Sequence, residues 1–150
     1  MMALKPLMEL SIEMGPAQVT PDGPYGTRRF IPVTGGTFTG ERLKGRILPG
    51  GADCQLIRPD GVAELDARIT LQLEDGVNVL MRGVGLRHGA TDVMRRIASG
   101  EAVPASAYYF RQSMLFEAPG PDWGWLNRML ALGVGERRPD GVRLAIFEIT

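Results

Sequence analysis

The 150-residue chain contains one cysteine, Cys54, and one histidine, His88. A lone cysteine excludes an intramolecular disulfide and suits a reducing compartment; the ordinary role for Cys54 is that of a small apolar residue. A single histidine, read as lying in a loop before Gly89, disfavours a Ser-His or Cys-His nucleophilic pair. Zinc usually takes several His or Cys ligands, so no zinc site is expected; a carboxylate-only magnesium or calcium site has no support in the sequence, and no metal is expected. Charge of one sign is also missing: Lys+Arg and Asp+Glu both number 17. A general nucleic-acid binder normally carries a basic excess, so that class is disfavoured. No apolar run approaches the roughly 20 residues that span a bilayer. The first residues, Met1 to Glu9, are broken by Pro6 and Glu9 and do not read as a signal peptide. Neither a phosphate-binding GxxxxGK[ST] loop nor a dinucleotide fingerprint occurs, so no cofactor is expected. These absences lead to the expectation of a cytoplasmic protein with no membrane or nucleic-acid partner.

What is abundant is punctuation. Twenty glycines and eleven prolines cut the chain into pieces of strand length, the pattern of a sandwich or barrel. The clearest element runs from Ala63 to Glu74: Ala63, Leu65, Ala67, Ile69, Leu71 and Leu73 alternate with polar residues. This period of two predicts a strand and excludes a helix. Asp75-Gly76 is a tight-turn signal, with a return strand over Val77–Leu86 and an earlier partner over Asp53–Arg58. Further strands are expected over Leu7–Met14, Arg28–Val33, Phe38–Leu48, Ala107–Glu117, Leu126–Val134 and Val142–Ile149. Only Asp92–Ser99 reads as a helix, with Thr91 as its cap and Gly100 as its stop. The expectation is one mainly antiparallel all-β domain over residues 1–150, a small closed or nearly closed barrel of about eight strands with one short helix.

Several stretches resemble a known family. They are Gly35-Gly36-Thr37-Phe38-Thr39-Gly40, Leu43-Lys44-Gly45, Leu48-Pro49-Gly50-Gly51-Ala52-Asp53, Leu65-Asp66-Ala67-Arg68, Tyr108-Tyr109-Phe110-Arg111, Phe116-Glu117 and Trp125-Leu126-Asn127. In their order and spacing they resemble the microbial family called domain of unknown function 3237, over nearly the whole chain. The resemblance implies a compact, calycin-like β-barrel that often forms small oligomers, and no established activity. Where relatives often carry Trp after the Asp, this chain has Cys54, which implies a roomier pocket at that point.

The candidate site residues lie on strand faces. Asp66 and Arg68 are two apart and share a face; an Arg beside an Asp makes an anion or carbonyl clamp, or equally a salt bridge that fixes the sheet. Asp53 and Gln55 share a face after Pro49-Gly50-Gly51. Asp53 is the first candidate for a general base, against a turn-capping role. Along Ala107–Glu117, Tyr109, Arg111, Ser113 and Glu117 share one face, while Tyr108, Phe110, Gln112, Met114 and Phe116 form the face better suited to the core. Tyr109 would donate to an oxyanion with Arg111 as support, or the face is simply polar surface with a cross-strand ion pair. Trp125 offers an apolar wall or core packing, and Asn127 an orienting donor. Arg95-Arg96 and Arg137-Arg138 read as solvated surface.

Two functional classes follow, with a third beside them. Asp53 or Asp66 as acid/base, with Arg68, Tyr109 and Arg111 stabilising an oxyanion, would give a cofactor-independent isomerase, cyclase or lyase. Its substrate would be a small carbonyl-bearing or aromatic metabolite. The alternative is a carrier or sensor of a small organic ligand, oriented by Gln55, Arg68, Arg111, Glu117, Trp125 and Asn127. The third is a structural module. A homodimer or higher homo-oligomer is expected from the complete apolar face of Ala63–Leu73. The catalytic reading requires Asp53, Asp66, Arg68, Tyr109 and Arg111 to share one cavity.

Overall fold

The computed structural model describes residues Met1–Thr150. In chain order its elements are β1 (Leu4–Met14), β2 (Gln18–Gly23), β3 (Gly26–Thr39), β4 (Lys44–Ile47), β5 (Ala52–Ile57), β6 (Ala63–Leu73), β7 (Asn78–Gly89), α1 (Thr91–Ala98), β8 (Tyr108–Glu117), β9 (Ala131–Arg138) and β10 (Gly141–Ile149). Short 3₁₀ turns sit at Ala105–Ala107 and Gly124–Arg128. All strand pairs are antiparallel. β1 pairs with β10 on one side and β3 on the other, and β10, β9, β8, β7 and β6 follow in sequence around the wall. β4 and β5 share one position, each bridging β3 to β6. The sheet therefore closes into an eight-staved barrel, with β2 as an outer hairpin arm on β3. Closure leaves the ring no free edge.

The period-two pattern decides which side chains go inside. On β6 the apolar series Ala63 to Leu73 is buried, so its polar series faces outward. On β8 Tyr108, Phe110, Gln112, Met114 and Phe116 point inward. The half of the barrel at the β6–β7 turn is filled by apolar side chains, among them Leu10, Phe38, Leu71, Leu73 and Phe116, and stoppered by Leu126. The opposite end, where β7 leaves and β8 enters, is spanned by residues 90–107. Ile97 and Val103 of that connector are buried in the same apolar cluster.

The structure differs from the sequence reading at several places, each with a physical reason. The Arg28–Val33 and Phe38 segments are one strand, β3, bent by an irregularity near Gly35 and Gly36. Gly36 has φ +133°, and a Cβ there would meet the Ser11 carbonyl of β1, so the chain bends where only glycine fits. Leu126 belongs to a 3₁₀ turn and not to a strand; β9 begins at Ala131. Thr91 does not cap α1, whose N-cap is Ala90 without a side-chain hydrogen bond. His88 lies on β7 and not in a loop. The apolar face of β6 is consumed by the chain's own core, which removes the basis for expecting a dimer through it.

Candidate functional site

β5 carries the first half of a polar cluster. Asp53 lies opposite Ala67 on one neighbour and Ile31 on the other, and Gln55 lies opposite Arg29. These inward positions leave Asp53 8% and Gln55 2% exposed. The β5–β6 ladder pairs Asp53 with Ala67 and resumes at Leu56 with Glu64. Between those points the Asp66 N–H donates to Asp53 Oδ1 at 3.1 Å, a carboxylate oxygen in place of a backbone acceptor. Gln55 Nε2 donates to Asp53 Oδ2 at 2.8 Å, and Arg29 Nη1 donates to Gln55 Oε1 at 3.4 Å. Burial pushes the Asp53 carboxyl above the usual aspartate range, although the Gln55 and Asp66 hydrogen bonds and the Arg87 charge oppose that shift.

The second half comes from β7, β8 and β9. Arg87 lies opposite Phe110, its guanidinium carbon 5.7 Å from the ring centroid. Tyr108 Oη accepts the Arg137 N–H at 2.7 Å. Arg87 is only 5% exposed, and Gln112 is buried beside it on the inward face of β8. The Nε atoms of Arg87 and Arg137 are buried without a hydrogen-bond partner. Burial lowers the Arg87 pKa to about 10, with the Arg137 charge adding to the effect and Asp53 opposing it. Burial also lowers Arg137, and Arg29 contributes next. The ion pairs of this chain, such as Arg42–Glu148 and Arg58–Asp60, are on the surface. One end of the lumen therefore gathers Arg87 and Arg137 within reach of the Asp53 charge, with Arg29 linked to Asp53 through Gln55. Arg29 and Arg137 are half-buried at its rim.

The five residues on which the catalytic reading depends do not share this inward cluster. Asp53 and Gln55 are inside. Asp66 and Arg68 are on the outer face of β6, because the apolar alternate positions fill the core. Asp66 borders an outer groove of about 450 Å3 with Arg28, Cys54, Glu64 and Val84, and its Oδ1 is buried there without a partner. Tyr109 is 44% exposed on the outer wall. It stacks on His88 at 4.9 Å, with the Arg111 guanidinium 5.3 Å from its ring. Glu117 is exposed at the far end of β8. Trp125 and Asn127 are at that same far end: Arg42 covers Trp125 at 4.1 Å, and Asn127 makes two hydrogen bonds to the Ala118 backbone. Cys54 is exposed on the outer face, so a smaller side chain there changes the groove and not the lumen. Desolvation, followed by the Asp66 and Asp53 charges, pushes its thiol up, the reverse of an activated nucleophile.

The residues missed by sequence reasoning are Arg29, Arg87, Tyr108, Gln112 and Arg137. The signal for Arg29 was present, since it alternates with Ile31 and Val33 on β3. Arg87 continues the inward series Val79, Met81, Gly83 and Gly85, but lies one residue beyond the expected strand end. Arg137 is inside and not solvated surface, because β9 runs to Arg138. Nowhere do three or more His, Cys, Asp or Glu side chains gather in a way that could hold a metal ion.

The family model described as "Protein of unknown function (DUF3237)" matches residues 2–149. A UPF0311 protein of Rhodopseudomonas palustris is 38% identical over 133 residues, 87% of either chain. A UPF0311 protein of Clostridium acetobutylicum is 34% identical over 135 residues, 90% of this chain and 85% of that one. The crystal structure of the Rhodopseudomonas protein superposes with a TM-score of 0.94, at 32% identity, covering 100% of this chain and 98% of that one. A β-barrel-like protein from Acinetobacter baumannii gives a TM-score of 0.87 at 36% identity, covering 100% and 97%. A protein from Penicillium herquei described as an enzyme has a TM-score of 0.76 at 21% identity, covering 99% and 95%, a likeness of fold alone.

Proposed function

Since the chain belongs to the DUF3237 family, whose matching relatives are named without an activity, we propose a function from the lumen itself: a cofactor-independent acid/base enzyme of the isomerase, cyclase or lyase type. Its substrate is a small carbonyl-bearing metabolite bound at the polar end of the barrel. The observation that carries this reading is a buried carboxylate of raised pKa, Asp53, in the same end of the lumen as a buried guanidinium, Arg87, with an unpartnered Nε. A carboxylate in that condition is a stronger base than a solvated aspartate. A guanidinium with a free donor stabilises charge that develops on oxygen.

The step this arrangement suits is removal of a proton from carbon next to a carbonyl. Asp53 takes the proton, the C–H electron pair moves into the enolate, and the negative oxygen is met by Arg87. Return of the proton to another atom gives an isomer; expulsion of a neighbouring group gives a lyase product. Gln55 and the Asp66 N–H hold the carboxylate in place, so both are positioning groups in this scheme. That the barrel also occurs in a fungal protein described as an enzyme agrees with this reading, although a fold does not specify chemistry. The carrier reading also has an observation in its favour: both Asp53 oxygens already accept hydrogen bonds.

The two readings separate in a proton-exchange experiment. A panel of small ketones and oxo acids is incubated with the protein in D2O, and loss of the α-proton signal is followed by NMR. The wild type is expected to exchange at least one compound that it binds. Asp53→Asn is expected to bind that compound and exchange it about a hundredfold or more slowly. Binding without exchange by the wild type, across every compound bound, assigns the protein to the carriers.

A further inference from the structure

The polar end of the lumen carries more positive charge than anything inside it offsets. Arg87 and Arg137 share the charge of one carboxylate, Asp53, and Arg29 adds its own positive charge beside both. Burying a charge without a partner is expensive, and proteins that bury arginine normally supply an acceptor. Here Arg87 is 5% exposed, and its Nε has none. The Arg137 Nε is buried and equally unpartnered. Tyr108 does not relieve it, because its hydroxyl oxygen accepts the backbone N–H of Arg137 and not the guanidinium. Gln55, the acceptor for Arg29, is itself tied to Asp53.

We infer that this end of the barrel holds the carboxylate group of a small organic anion, bound by the Arg87 and Arg137 guanidinium groups, with Arg29 supplying further positive charge at the rim. The inference rests on reading this end as the ligand site and adds the class of ligand. A guanidinium presents its donors as a planar fork that fits a carboxylate. The surroundings favour an organic body over a free inorganic ion. Phe110 lies beneath Arg87, and Leu65 and Ile31 lie inward on strands adjoining Asp53 and Gln55. Gln112 adds a neutral polar group on the same wall. Arg29 and Arg137, only half-buried, are the members of the cluster nearest to solvent.

The test needs no turnover, so its result stands apart from that of the proton-exchange experiment. Benzoate, malonate and inorganic phosphate are titrated separately into the full-length protein by calorimetry, at low and high salt. Benzoate or malonate is expected to bind, more weakly at high salt. Arg137→Gln, at the rim, is expected to weaken binding about ten- to a hundredfold, the range of a charge-assisted hydrogen bond. Arg68→Gln, on the outer wall, is expected to leave it unchanged. Arg87→Met removes a buried guanidinium whose Nε has no hydrogen-bond acceptor. It is expected to raise the melting temperature of the free protein and abolish the further rise that benzoate or malonate gives the wild type. Failure of both carboxylates to bind overturns the inference, as does binding of phosphate alone. Equal weakening by Arg68→Gln and Arg137→Gln overturns it too, by placing the anion outside the barrel.

Discussion

Asp53 concentrates several competing terms in one side chain. Burial favours its protonated form, while Gln55, the Asp66 N–H and the Arg87 charge favour the carboxylate; burial prevails and the pKa is raised. The folded protein thus binds this proton more tightly than the unfolded chain does. The stability it contributes is fully present below the ordinary aspartate range, near pH 4, and is lost as pH rises through the raised value. Asp53→Asn cannot ionise and escapes this loss. Urea denaturation of wild type and variant across the acid-to-neutral range should show the variant gaining on the wild type with rising pH. A stability difference that stays flat, or moves the other way, would mean that Asp53 is an ordinary hydrogen-bonded carboxylate. Asn127 is a contrasting case. Its side chain both accepts from and donates to the Ala118 backbone, far from the polar lumen. Asn127→Ala should cost about 1 kcal/mol in a chemical melt and leave carboxylate binding unaltered.

At the scale of the element, the alternation on β6 and β8 was legible because each strand has one consistently apolar face. Those patterns fixed which residues travel together. They could not show that Asp53 and Gln55, on a β5 with mixed faces, point inward and that Asp66 and Arg68 point outward. That choice is made by pairing with β3 and β6, which is not local information. Strand ends were less legible still, and an expected end at Leu86, three residues short of the Gly89 end of β7, concealed Arg87. The glycines of β9 were equally silent until Phe110 was seen in the space that Gly135 leaves. A Cβ at Gly135 would overlap that ring. Gly135→Ala should therefore destabilise the barrel by about 1–3 kcal/mol through overpacking, visible as a lower denaturant midpoint with an unchanged slope. Because Phe110 lies under Arg87, the same substitution should also weaken carboxylate binding.

At the scale of the whole molecule, the closed wall divides the chain's charge into two populations that a net charge of +0 hides. The outer population is mostly paired or solvated, Asp66 with its buried Oδ1 being the exception. The inner one, Arg29, Arg87 and Arg137 with Asp53, is positive. The candidates Tyr109 and Arg111 belong to the outer population: with His88 they form a stack on the wall, and Arg111 Nη1 donates to the carbonyl of Phe110. Nothing ties that stack to the lumen except the β8 backbone between them. Removing the Tyr109 hydroxyl or the Arg111 charge should act as an ordinary surface change. Tyr109→Phe and Arg111→Gln are each expected to keep carboxylate affinity within about twofold and stability within about 0.5 kcal/mol. Calorimetry and urea melts on the two variants measure both quantities. If Tyr109→Phe lost binding as fully as Arg87→Met, the ligand would have to sit on the outer wall, and the inward guanidinium groups would need another explanation.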